Sequence, residues 1–214
     1  MPCFRAFAPT AVAIIIALPT CVLPGEAVLP PFGRDTVLVY KAGMDQDTKS
    51  FIVRIAEFSP DRFIEWEDTV TQGTIFMPAS SVQAAKGFVN SSLFEAGVDT
   101  EGKQATTLWL SRRIFHDLKA KKKVKVAIDS IDTWMTLESD DQVPVEVNRT
   151  IMNLPAVKTV DERQSVRWFL DSEDNPLLLK HVLRHYTQVL ASITTDRSNT
   201  LRWIKGKKIP KSPN

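Results

Sequence analysis

The stretch SFIVRIAEF-SPD-RFIEWEDTV, residues 50–70, decides the fold class. Phe51, Val53 and Ile55 recur every second residue, the period of a strand with one buried face. Ser59-Pro60-Asp61 is turn chemistry, with proline fixing φ for a reversal. Beyond it Phe63, Glu65 and Glu67 share one face, and Ile64, Trp66 and Asp68 the other. Outward from this pair, Thr36–Lys41 (TVLVYK) reads as a strand joined through the polar turn Asp45–Lys49. Gln72-Gly73 turns the chain into Thr74–Met77. The opening third therefore predicts an antiparallel meander.

From Pro78 to Phe94 the character changes, with Val82, Ala85, Val89 and Leu93 at helical intervals. Gly87 and Asn90 limit this to one or two short turns, started by Ser80 or Ser81. A better helix follows Ser111, a natural N-cap. Ile114, Phe115 and Leu118 form its apolar stripe, and Lys119–Lys123 lie where cations suit the helix dipole. Strand signals return at Val124–Ile128, Ile131–Leu137, Val143–Val147, Thr150–Val157 and Val166–Leu170, with turns at Asp129-Ser130 and Asn148-Arg149. Asn175–Thr195 reads two ways. Asn175-Pro176 starts helices well, and Leu178, Val182, Tyr186, Val189 and Ile193 recur at helical spacing. Two strands turning at Arg184-His185 fit equally.

Two segments carry a resemblance. One is Thr107-Leu108-Trp109-Leu110-Ser111-Arg112 with Phe115, Leu118 and Lys119. The other is Val145–Pro155 followed by Val166–Leu179, including Trp168-Phe169-Leu170-Asp171 and Asp174-Asn175-Pro176-Leu177-Leu178-Leu179-Lys180. Over residues 36–195 their order resembles uncharacterised exported bacterial β-rich domains of the DUF3108-like set, some of which occur beside OmpA-like modules. The resemblance implies a mostly β protein with short helices (α+β), built on a curved antiparallel sheet or half-barrel. It favours two strands over 175–195. It brings no activity, cofactor or catalytic residue.

The N-terminus predicts export. Arg5 is followed by the apolar run Ala11–Leu18. Pro19 and Pro24 end it, and Gly25-Glu26-Ala27 offers small residues at a cleavage site after Ala27. The run is short of the roughly 20 residues a spanning helix needs, so no transmembrane span is expected once the signal is removed. Leu18-Pro19-Thr20-Cys21 loosely resembles a lipobox, but Pro and Thr fit it poorly, and anchoring through Cys21 is the weaker alternative to a secreted or periplasmic protein. Cys3 and Cys21, the two cysteines, both lie in the signal. The mature chain is thus expected to hold no disulfide, cysteine nucleophile or thiolate metal site. The expected organisation is signal 1–27, flexible lead-in 28–35, one β-rich domain 36–195 and a basic, disordered tail 196–214. A net charge of +2 argues against a nucleic-acid binder.

Candidate chemistry is sparse. His181 and His185, four apart, could ligate zinc with His116 or Asp174. The sequence has no His-Glu-x-x-His, however, and Lys180 and Arg184 flank the pair. Two exposed polar histidines are the expected reading, and no metal or other cofactor is predicted. Glu65 and Glu67 could pair as glycosidase carboxylates, but a solvated strand face explains them. No Gly-x-Ser-x-Gly, Asp-Thr/Ser-Gly, dinucleotide or phosphate loop is present. Asp171, Asp174 and Asn175 read as a turn, since a calcium loop would want further carboxylates and a glycine. The tail's Arg197, Arg202, Trp203, Lys205, Lys207, Lys208 and Lys211 suit contact with an anionic envelope surface. These readings predict an exported, non-catalytic domain that binds a lipid, another hydrophobic envelope component or an envelope protein. The alternative is a secreted hydrolase using scattered His and Asp/Glu.

Overall fold

The computed structural model describes residues 29, 31–44, 47–91, 99–101 and 104–195, with side chains described outside 99–101. The expected signal segment with Cys21, and the expected basic tail with Arg197, Arg202, Trp203, Lys205, Lys207, Lys208 and Lys211, lie outside the described residues. Thirteen strands and two helices follow one another among them. They are β1 (Val37–Met44), β2 (Asp47–Glu57), β3 (Arg62–Glu67), β4 (Gln72–Met77), α1 (Ala79–Ala84), β5 (Gly87–Val89), β6 (Asp99–Glu101) and β7 (Ala105–Thr107), then α2 (Arg112–Lys121), β8 (Lys123–Ile128), β9 (Ile131–Val147), β10 (Thr150–Asp161), β11 (Val166–Leu170), β12 (Leu178–Leu183) and β13 (Tyr186–Thr194).

The strands form one sheet in the order β6-β4-β3-β2-β1-β13-β12-β11-β10-β9-β8-β5-β7. Neighbours from β4 across to β8 pair antiparallel. The short β5, β6 and β7 pair parallel and make the sheet mixed. Register shifts leave an extra residue in β13, β2, β9 and β12, bulges that bend a strand and raise its twist. The sheet curls until the C-terminal ends of β9 and β13 meet, Ser192 facing Glu146 and Ile193 facing Val147. It is curved without being a closed barrel, the mostly β class that the alternation predicts and the curved sheet that the resemblance implies. Among the described residues no helix is long and apolar enough to cross a membrane.

Local chemistry explains most boundaries. Asp129-Ser130 and Asn148-Arg149 are two-residue turns with positive φ at both positions, the geometry whose twist suits a hairpin. Arg184, also at positive φ, reverses the chain between β12 and β13, so residues 178–194 form two strands and no helix. Ser111 caps α2 as expected, its Oγ accepting from Ile114 N at 3.2 Å. Lys122 ends the helix in a left-handed conformation.

The one or two helical turns expected after Pro78 are the six residues of α1, but other expectations change. The start of α1 is served by Asp61 Oδ1, which accepts from Ala79 N at 2.7 Å, instead of by Ser80 or Ser81. Val89 then belongs to β5, because Gly87 and Phe88 align with β7 and β8. The stretches 131–137 and 143–147 are one 17-residue strand, β9. Residues 138–142 carry acids that interrupt the apolar alternation, but their backbone stays laddered to β10.

Where β10, β11 and the approach to β12 lie side by side, apolar residues are buried on both faces of the sheet. Ala156, Leu170, Leu177 and Leu179 join Leu38, Val53, Ile64, Trp109 and Leu190 in one core. Val157, Phe169 and Leu178 join Ile114, Phe115 and Leu118 of α2 in the other. The stretch before β1 lies against the first core through Leu29 and Phe32. Arg34 Nε donates to Ala56 O at 3.0 Å, and Asp35 pairs with Arg54 at 2.8 Å.

Candidate functional site

Arg62 opens β3 on the same phase as Ile64 and Trp66, the face that enters the core. It exposes 2% of its surface. Its guanidinium carbon lies 4.7 Å from the Phe58 ring centre and 4.7 Å from that of Trp109. Aromatic faces attract such a cation and more so when water is excluded. Trp109 forms the floor of this stack and is fully buried, with its Nε1 donating to Asn175 Oδ1 at 2.7 Å. Leu108 beside it has φ 59°, a left-handed conformation that strains a bulky residue. It is held there because Leu108 O accepts from Leu178 N, and Leu110 N donates to Pro176 O.

A pocket of about 490 Å³ opens at this place. Leu29, Pro31, Phe32, Phe58, Val82 and Leu170 line its apolar side, and Arg62, Arg112, Asp171, Asp174 and Asn175 its polar side. Phe32 stacks on Phe58 at 5.7 Å between ring centres. Few acceptors serve the two arginines. Arg62 Nη2 donates to Asp174 O at 3.1 Å, and Arg112 Nη2 meets Asp174 Oδ1 at 3.0 Å. The Nε atoms of both are buried without an acceptor. Burial first, and the charge of Arg112 second, lower the Arg62 pKa to about 9, so it stays a cation at neutral pH. Asp171 offers little to either, because Lys119 Nζ holds it at 2.9 Å.

A shallower polar groove adjoins the pocket and shares Gln83, Arg112 and Asp174 with it. His116 lies there on α2, its Nδ1 3.2 Å from Glu173 Oε1, both side chains about two-thirds exposed. His181 and His185 are not brought together. His185 sits exposed in the β12–β13 turn. His181 is 2% exposed, which corrects the expectation of a solvated residue. On β12 it takes the inward phase between Arg167 and Gln188 of the neighbouring strands. Among the described residues no group of three His, Cys, Asp or Glu is placed to hold a metal. Glu65 of the Glu65–Glu67 pair is taken up by Arg54, whose Nε donates to Glu65 Oε2 at 2.7 Å.

His181 belongs to a buried polar row. Its Nε2 lies 2.7 Å from Ser165 Oγ, a spacing that a serine–histidine nucleophile would share. Burial, then the Arg167 charge, pull the His181 pKa down to about 3. Its Nδ1 has no orienting acceptor, Ser165 is 1% exposed, and neither residue lines either pocket. Arg167 is paired with Asp161 at 2.8 Å, both side chains nearly inaccessible. Among the described residues Ser165, Arg167 and His181 of this row are almost inaccessible.

No protein family matches the chain, and no curated protein matches it. Function is therefore argued from the site. Arg62 and Arg112 were not singled out by the sequence reading. The signal for Arg62 is present, since counting back two from Ile64 puts an arginine on a buried strand phase. Arg112, beside the N-cap, gives no comparable signal.

Proposed function

We propose that this chain is an exported, non-catalytic domain that binds an amphipathic or hydrophobic component of the cell envelope in the pocket beside Arg62. One observation carries the reading: an open pocket of about 490 Å³, within the usual range for ligand sites, with one wall of Leu29, Phe32, Phe58 and Leu170 and a few polar groups converging at the other. The resemblance to exported β-rich domains and the signal-like N-terminus support the compartment. Native mass spectrometry of the full chain purified from its host's envelope fraction tests both parts. A retained lipid-sized mass, lost on Phe58→Asp, and a chain beginning at Val28 are the expected results. A bare chain that also fails to take up an added fatty acid overturns the binding reading, and an intact Met1 overturns export.

The hydrolase alternative would draw on His116 and Glu173. Their exposure leaves the pair without the burial that tunes a general base, and no serine or threonine lines their groove.

A further inference from the structure

We propose that the polar end of this pocket is an oxyanion site, in which Arg62 and Arg112 together hold the carboxylate or phosphate head of an amphiphile whose chain lies along Phe32 and Phe58. The inference rests on the reading of the pocket as a ligand site and adds the chemistry of the head group.

Three observations carry it. The first is charge. Two guanidinium groups line the pocket, and Asp174 faces both. Its carboxylate meets Arg112, while Arg62 receives only the backbone carbonyl of the same residue. The Asp174 side chain is 85% exposed, so the carboxylate stands at the rim and leaves the interior positive. Asp171, the other acid on the wall, is neutralised by Lys119.

The second is unspent donor capacity. A guanidinium carries five N–H donors in a planar fork that fits a carboxylate or phosphate two at a time. Among the described residues Arg62 has one hydrogen bond, and the Nε of each arginine is buried with no acceptor. Buried donors in native proteins are nearly always satisfied. These Nε atoms are closed to solvent, so a head group would be met by the other N–H donors of the two guanidinium groups, both of which line the open pocket.

The third is fixed position. Phe58 and Trp109 clamp the Arg62 guanidinium on two sides at 4.7 Å, and Trp109 is itself locked by Asn175. The cation is held in place before any ligand arrives, so binding pays little ordering entropy. Lysine could not stack or fork in this way.

The test is isothermal titration of the full-length chain with decanoate, decyl phosphate, decanol and inorganic phosphate, each below its aggregation threshold. Decanoate or decyl phosphate is expected to bind about tenfold or more tighter than decanol, the scale of one charge-assisted hydrogen bond. Arg112→Met, on the partly exposed first turn of α2, is expected to weaken the anionic ligands several-fold and so narrow their advantage over decanol. Arg62→Met should do the same, and Arg112→Met keeps the test valid if the buried substitution impairs folding. Equal affinity for decanoate, decyl phosphate and decanol overturns the oxyanion site and leaves the pocket reading intact. Inorganic phosphate binding as tightly as decyl phosphate overturns the amphiphile. Failure of all four overturns both.

Discussion

Removing the charge of Asp161 should unfold this domain at markedly milder conditions. The Asp161 and Arg167 side chains are 1% and 2% exposed. Asp161 Oδ2 accepts from Arg167 Nη1 at 2.8 Å, and Oδ1 accepts from the backbone N–H of Arg163 at 2.9 Å and of Ser165 at 3.0 Å. Asp161→Asn keeps the shape and can keep the turn contacts, but leaves the guanidinium buried without its counter-ion. Among the described residues the other side-chain acceptor that it meets, Asn90 Oδ1, is 3.5 Å away, too long to take over. Breaking a buried pair from one side costs about 3–5 kcal/mol. The nearby charge of Asp129 puts this case at the lower end, about 3 kcal/mol. For a domain of this size that lowers Tm by roughly 6–12 °C. Urea unfolding at pH 7, followed by tryptophan fluorescence, measures the loss directly. Arg167→Met should cost less, because the carboxylate retains two backbone donors. The double variant should then cost at least about 2 kcal/mol less than the sum of the singles. A loss under about 1 kcal/mol for Asp161→Asn, or strict additivity, would refute the argument that the pair is a buried, interdependent unit.

His181 makes stability depend on pH. The unfolded imidazole takes a proton near its ordinary 6.5, the folded one only near 3, so between those values the unfolded chain binds more protons. Stability is full above about pH 6.5 and falls on acidification by up to about 1.4 kcal/mol per unit. His181→Gln should flatten the urea-derived curve between pH 6.5 and 4 by that slope, and parallel curves would sink the idea. Arg62→Met removes two cation–π contacts and one hydrogen bond, but also a desolvated charge and an unmet donor. The opposing contributions should leave stability within about 1 kcal/mol of the parent. A loss above about 3 kcal/mol in the same urea assay would make Arg62 a structural residue. Ser111→Ala strips both the α2 cap and the 2.7 Å bond to Ala85 O, and should cost about 2 kcal/mol by thermal or urea unfolding. An unchanged midpoint would show that neither bond matters.

The amino-acid sequence by itself determined the strand-rich class, because a period of two in residues 50–70 depends only on the alternation of side chains along an extended chain. It also determined the Ser111 cap and the turns at Asp129-Ser130 and Asn148-Arg149, whose chemistry acts within a few residues. It left residues 175–195 open, since an apolar spacing that suits a helix also suits two strands joined at Arg184. The hairpin of Lys180–Leu183 with Tyr186–Val189 is held by pairing of β13 with β1, a partner remote in sequence, and that decided the matter. The site was hidden for the same reason. Arg62, Trp109, Arg112 and Asp174 span more than a hundred residues and carry no shared motif. Only the curled sheet brings the β2–β3 turn, the start of α2 and the β11–β12 loop to one rim. His181 shows the rule from the other side: a histidine beside Lys180 in sequence reads as solvated, and a single strand phase decides that it is buried.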